Sequence, residues 1–175
     1  MSEELSHLKT LKETFQEAYL QLLHLYSPHQ ISVKQIVLAA NTSRSSFYTH
    51  FDNREQLNLY VKEQIQQEFF MHYETNRANE LGSNSTFTLC QHIIKYRSYY
   101  KHAFQDTIEF QHMATKLSNY LMRVYDDVDY AIFASFGTIG YLKHWVEQDF
   151  IISPSEAAEK LMKIGFTNWS SKVSM

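Results

Sequence analysis

The chain has little glycine, proline or cysteine and no long apolar run. With 4 Gly and 2 Pro in 175 residues, long stretches run without a helix breaker, and an all-helical fold is expected. A single cysteine, Cys90, excludes a disulfide framework within the chain and suits a reducing compartment. No apolar run reaches the length of about 18 residues that a membrane-spanning helix requires. The opening MSEELSHLKT carries acid where a secretory signal carries base, so a cytoplasmic protein is expected. The chemistry of an enzyme is missing as well: no Gly-rich phosphate loop, no nucleophile elbow and no HExxH. His7, His24 and His29 have no metal-ligand spacing with nearby Cys or acids. His92, His102 and His112 recur at an interval that does not stack them on one helix face. Asp126, Asp127 and Asp129 precede an apolar run and read as a loop leading into a helix N-terminus. Neither a cofactor nor a metal is expected.

What is present is concentrated in residues 31–60, where three helix starts follow in quick succession. Ser32 and Gln35 have the S-x-x-Q spacing of a capping box, so a helix begins near Val33. Ile36, Val37 and Ala40 give it one apolar face. Asn41, which tolerates a left-handed backbone, ends it. Ser43 caps a second short helix through His50, in which Phe47 and Phe51 stand one turn apart as inner anchors. Its other side chains are small, hydroxylic or basic. Asp52 and Asn53 cap a third helix with Glu55 and Gln56 in its first turn. Two short helices joined by a tight turn, the second with a polar outer face, have the form of a helix-turn-helix. An ordinary helical hairpin with a solvated face has the same pattern.

The wording of the segment favours the first. AANTSRSSFYTHFDNREQL resembles the DNA-binding signature of TetR-family transcriptional regulators, through Ala40, Ser43, Arg44, Ser45, Ser46, Phe47, Tyr48, Phe51, Arg54, Glu55 and Leu57. Asn41 and Thr42 depart from the family's usual Gly and Val, and Arg54 replaces its commoner Lys. The resemblance implies a three-helix DNA-binding domain at residues 1–60. A helical ligand-binding and dimerisation domain at 61–175 would bring the chain to about nine helices. It also implies a homodimer that binds palindromic double-stranded DNA. Arg44, Ser45 and Ser46 would then lie near base edges, and Ser32, Lys34, Tyr48, His50 and Arg54 near phosphates, with Thr42 and Ser43 at the helix start.

The formal net charge of −3 opposes nucleic-acid binding. Locally, residues 28–51 carry Lys34 and Arg44 and no Asp or Glu, so that surface is positive, though thinly.

Elsewhere the chain is helical by its periods. Leu5, Leu8, Leu11, Phe15, Ala18, Tyr19, Leu22 and Leu23 mark a first amphipathic helix, which ends at Ser27, Pro28 and His29. Leu57, Tyr60, Val61, Ile65 and Phe69 carry a long helix out of the signature, and residues 76–84 read as a loop. A helix opening at Ser85 or Thr86 is expected to run through Arg97. Aromatic residues crowd the following segments. Phe69, Tyr73, Tyr96, Tyr100, Phe104, Phe133 and Tyr141 are candidate walls of a pocket for a small apolar effector, the bland alternative being ordinary core. A helix from Tyr130 to Phe150 carries Ala134, Gly137 and Gly140 as small residues that let another helix approach. Ser153, Pro154 and Glu156 begin a last helix, continued by Leu161, Ile164 and Trp169. The ending is similar to the TetR-family dimer bundle, which makes Ala134, Gly137, Tyr141, Trp145, Leu161 and Ile164 candidate interface residues.

A DNA-binding regulator, in repressor mode, is therefore the expected function. The alternative is a dimeric co-activator or adaptor that uses the same fold to bind a protein partner.

Overall fold

The computed structural model describes residues 10–74 and 83–165, excepting the side chains of 72–74 and 83–85. Leu5, Leu8, His7, Trp169 and the side chain of Tyr73 lie outside the described residues. Within them the chain is helical, with no strand. The helices are α1 (Leu11–Leu22), α2 (Val33–Ala39), α3 (Arg44–Tyr48), α4 (Arg54–Glu74), α5 (Ser83–Lys95), α6 (Arg97–Ala103), α7 (Thr107–Tyr125), α8 (Val128–Glu147) and α9 (Pro154–Gly165). A 3-10 turn at Pro28–Gln30 links α1 to α2. The chain divides into two compact units, Met1–Ile65 and Gln66–Met175.

In the first unit α1 packs on α2, and α2 on α3. The helix starts are capped as the sequence dictates. Ser32 and Gln35 form a reciprocal box, Ser43 accepts from the Ser46 amide, and the Asn53 side chain accepts from the Gln56 amide at 2.9 Å. Further boxes stand at Thr10 and Glu13, which open α1, and at Ser27 and Gln30, at the 3-10 turn. Each cap contributes about 1 kcal/mol. Phe15, Tyr19, Ile36, Phe47, Leu57, Val61 and Ile65 are fully buried. The Tyr19 hydroxyl donates to the Asn58 side chain at 2.9 Å, tying α1 to α4; burial raises its pKa to about 12. Asn41 adopts φ 50°, the left-handed turn its side chain tolerates.

In the second unit α7 packs along α8, α5 along α9, and α6 against α8. The long helix expected from Ser85 through Arg97 begins two residues earlier, at Ser83, and is broken at Tyr96, which leaves helical geometry at φ −107°, ψ 32°. At the break the Tyr96 hydroxyl donates to the Glu68 carboxylate at 2.5 Å, and Lys95 Nζ lies 2.8 Å from the same group. Although burial opposes it, these bonds hold the Glu68 carboxyl below its usual value. Asp126, in a left-handed conformation, ends α7, and Asp127 caps α8 by accepting from the Tyr130 amide at 2.9 Å. The acids near the α7–α8 turn thus do the work of chain reversal. At the other end of α8, Asp149 and Phe150 both take positive φ. Trp145 holds that reversal: its indole N–H donates to the Ile152 carbonyl at 3.0 Å and its ring meets Phe150 edge-on.

Two outcomes follow from this packing. Asn41→Val, which forces a branched side chain into the left-handed region, is expected to lower stability by about 1–2 kcal/mol in urea unfolding, whereas Asn41→Gly stays near wild type. Cys90 is fully buried, and burial pushes its thiol up to about 12. A thiol reagent at pH 8 should therefore label it slowly in the native chain and rapidly in denaturing urea.

Candidate nucleic-acid interface

α3 has five residues, too few for its own hydrogen bonds to hold it. Its inner side chain Phe47 does so, fully buried, with ring centroids 5.3 Å from Phe15 and 5.7 Å from Phe51. The helical turn continues weakly beyond Tyr48, where the Phe47 carbonyl accepts from both the His50 and Phe51 amides. With Phe47 turned inward, Arg44, Ser45 and Tyr48 are exposed and Ser46 is half-buried. Tyr48 shows 55% of its surface and packs edge-on against Phe47.

The hydroxyls of this helix are partly occupied. Ser43 Oγ is 3.0 Å from the Ser46 amide and 2.9 Å from Ser46 Oγ, and Thr49 Oγ1 donates to the Ser45 carbonyl. Arg44, Ser45 and Tyr48 are the side chains on α3 that are exposed without a cap to maintain. At the start of α2, Ser32 is exposed but engaged with Gln35, and Lys34 is exposed. The stretch that carries these residues, 28–51, has no carboxylate.

Three of the sequence-derived contacts sit differently. Thr42 Oγ1 is buried and has no hydrogen-bond partner, so it does not point at a phosphate. His50 is half-buried with its ring 6.3 Å from Phe15, on the margin of the surface. Arg54 is turned into the protein: Nη1 lies 2.6 Å from the His29 carbonyl oxygen and 3.2 Å from those of Pro28 and Ile31, and Nη2 pairs with Glu55.

The aromatic residues proposed as pocket walls also divide. Phe69, Tyr96, Tyr100 and Phe104 are buried and pack on one another or on His92, whose ring centroid is 5.8 Å from Phe69, 5.0 Å from Tyr96 and 5.8 Å from Tyr100. His92 Nε2 is 2.9 Å from the Tyr100 hydroxyl oxygen. This is core geometry. Phe133 is 64% exposed and lines no interior, because it projects from the opposite side of α8 to Ala131, Ser135 and Leu142. Tyr141 is half-buried. Of the interface candidates, Trp145 is 2% exposed and spent inside its own chain. Ala134 and Leu161 are half-buried, while Gly137 and Ile164 are exposed. Ile132 and Phe136, which sequence reasoning left out, share the exposed stripe with Phe133. Their signal is weak because α8 is apolar on most sides.

Residues 17–61 match the family model described as bacterial regulatory proteins, tetR family. No curated protein matches the chain. Among solved structures, a transcriptional regulator of the TetR/AcrR type from Aquifex aeolicus superposes with TM-score 0.73 and 19% identity, over 90% of this chain and 100% of its own. The dihydroxyacetone kinase operon activator DhaS does so with TM-score 0.68 and 17% identity, over 89% and 93%. The fatty acid degradation regulator FadR from Bacillus halodurans gives TM-score 0.69 and 13% identity, over 91% and 96%. Residues 17–61 are thus a tetR-family DNA-binding helix-turn-helix, and the chain that carries them has the fold of TetR/AcrR-family transcriptional regulators.

Proposed function

We propose that this chain is a cytoplasmic transcriptional regulator that binds a palindromic operator as a homodimer and acts as a repressor. The observation that carries the reading is the outer face of α3: Arg44 and Ser45 exposed on a helix anchored from behind by Phe47, on an acid-free surface. Arg44 is the residue for bidentate pairing with a guanine, and Ser45 and Ser46 are small enough to let the helix enter a major groove. Lys34, Ser32 and Tyr48 flank it as phosphate contacts, with the Ser43 cap fixing the helix start. The first unit acts as the reading head and the second as the regulatory and dimerisation unit.

Dimerisation is needed because so few positive charges make a weak footprint per chain. Its support is the exposed stripe on α8, where Ile132, Phe133 and Phe136 stand 47%, 64% and 40% exposed. Beside them a Cβ built on Gly137 or Gly140 would meet nothing within 4 Å. A helix with large apolar side chains next to open glycine positions fits a second copy of itself, with Ile164 and Leu161 of α9 at the margin. Release by a small apolar effector in the second unit completes the reading. The buried aromatic cluster gives the chemistry such a molecule would have to displace.

A second reading is an adaptor that binds a protein partner. Leu38 on α2 and Leu25 after α1 are 78% and 75% exposed in the same unit, and neither suits a phosphate. A solved relative in fold, DhaS, is described as an activator. Retardation of duplex DNA over a salt series separates the two. A steep salt dependence and a palindromic preferred site support the regulator, whereas no retardation at low salt supports the adaptor.

Arg44→Ala is expected to cost about 1–3 kcal/mol in binding to a preferred duplex and to relax the preference at one position. Unchanged binding removes Arg44 from the reading set. A Phe133→Glu, Phe136→Glu double variant should sediment as a monomer and lose roughly 100-fold or more in operator affinity while staying folded.

A further inference from the structure

Arg54 is the first residue of α4. A positive charge there faces the positive end of the helix dipole, which disfavours it. The compensation is visible in the contacts. One guanidinium nitrogen collects the carbonyl oxygens of Pro28, His29 and Ile31, at 3.2, 2.6 and 3.2 Å, and the other meets the Glu55 carboxylate. A planar fork can gather several carbonyls along one edge while pairing along another, which a single ammonium cannot do. The side chain is 25% exposed. The same hydrogen bond holds the Glu55 carboxyl below the usual carboxylate range.

The position of those partners gives the contact its meaning. The three carbonyls belong to the connection that leads from α1 into α2. Arg54 opens the helix that follows α3. Ile31 and Arg54 are 23 residues apart in sequence, and what lies between them is α2, the Asn41 turn and α3. The guanidinium therefore joins the entry of the helix-turn-helix to its exit. Ser32, which caps α2, is the next residue after the clamp, and Phe51 and Asn53 lie just before it.

We propose that Arg54 is a positioning residue of the reading head: by closing the base of the helix-turn-helix on three carbonyls it sets the aim of α3, and it does not itself hold a phosphate. The inference rests on the DNA-binding reading above. A phosphate at this place would compete with Glu55 for the charge and with three carbonyls for the donors. A lysine here, with one nitrogen in place of two, could hold the carbonyls only by giving up Glu55, so its clamp would be looser.

The test uses the full chain and a duplex enriched by the wild-type protein from a random pool. Affinity is measured over a salt series for wild type, Arg54→Lys, Arg54→Gln and Lys34→Gln, at temperatures where each variant is folded. Lys34→Gln, a phosphate contact, should reduce the salt slope by about one. Both Arg54 variants should lose roughly tenfold in affinity at every salt concentration, as when about one base contact is misplaced, with the wild-type slope retained. A slope lowered as in Lys34→Gln overturns the proposal, as does wild-type affinity in Arg54→Lys. A second readout is amide hydrogen exchange at residues 29–32, which should accelerate in Arg54→Lys while mid-α1 and mid-α4 stay protected. If the wild-type chain enriches no duplex, the DNA-binding reading fails on its own, and unaltered exchange at 29–32 in Arg54→Lys still overturns the clamp. Should Arg54→Gln not fold, Arg54→Lys carries both readouts.

Discussion

Everything the first unit offers to a partner depends on the contact between Phe47 and Phe15. A helix of five residues has no independent stability, so α3 exists because Phe47 is buried against α1 and because Phe51, one turn on, closes the other side. Burying a phenylalanine contributes roughly 1.5–3 kcal/mol, more than the short helix can gain from its own ladder. The same contact determines which residues face outward. With Phe47 fixed inward, the period of the helix turns Ser45 and Tyr48 to the surface, and Arg44, at the first position of the helix, is exposed at its N-terminal end. The site is thus the back of a packing interaction, and the braces on α1 and α4 serve recognition although they touch no ligand.

Charge sets the second constraint. Two positive residues on an acid-free stretch, in a chain of net charge −3, give a shallow electrostatic footprint, and specific contacts have correspondingly more of the binding to supply. Arg54 sharpens this. Its guanidinium is committed to carbonyls and to Glu55, which leaves Arg44 and Lys34 as the basic side chains of that surface. In the proposed function, so little charge makes binding sensitive to the placement of each contact and favours joining two heads.

The second unit shows how one apolar helix serves two surfaces. α8 buries Ala131, Ile139, Leu142 and Trp145 on one side and exposes Ile132, Phe133 and Phe136 on the other. This exposed apolar stripe is the feature on which the proposed pairing of two chains rests. Trp145 sits on the buried side because its indole N–H finds the Ile152 carbonyl, and that bond also steadies the two residues with positive φ before α9.

The sequence alone determined what is local. Ser32 with Gln35, Ser43, Asn53 and Ser153 with Glu156 each cap a helix at the predicted place, because a cap needs partners only three residues away. Asn41 takes the left-handed turn for an equally local reason, and Phe47 and Phe51 were readable as inner anchors from their spacing. The family signature was legible because it is a string of such local requirements. The tertiary structure decided whatever depended on distant partners. The α5–α6 segment breaks at Tyr96, where the side chain meets Glu68 of another helix, a partner that the local sequence does not reveal. Phe133 is exposed and Trp145 buried because α8 is apolar nearly all round, so its period does not say which side meets α7 and α6. Arg54 meets carbonyls because the 3-10 turn at Pro28–Gln30 brings three acceptors within its reach, and no pattern in the chain encodes that distance.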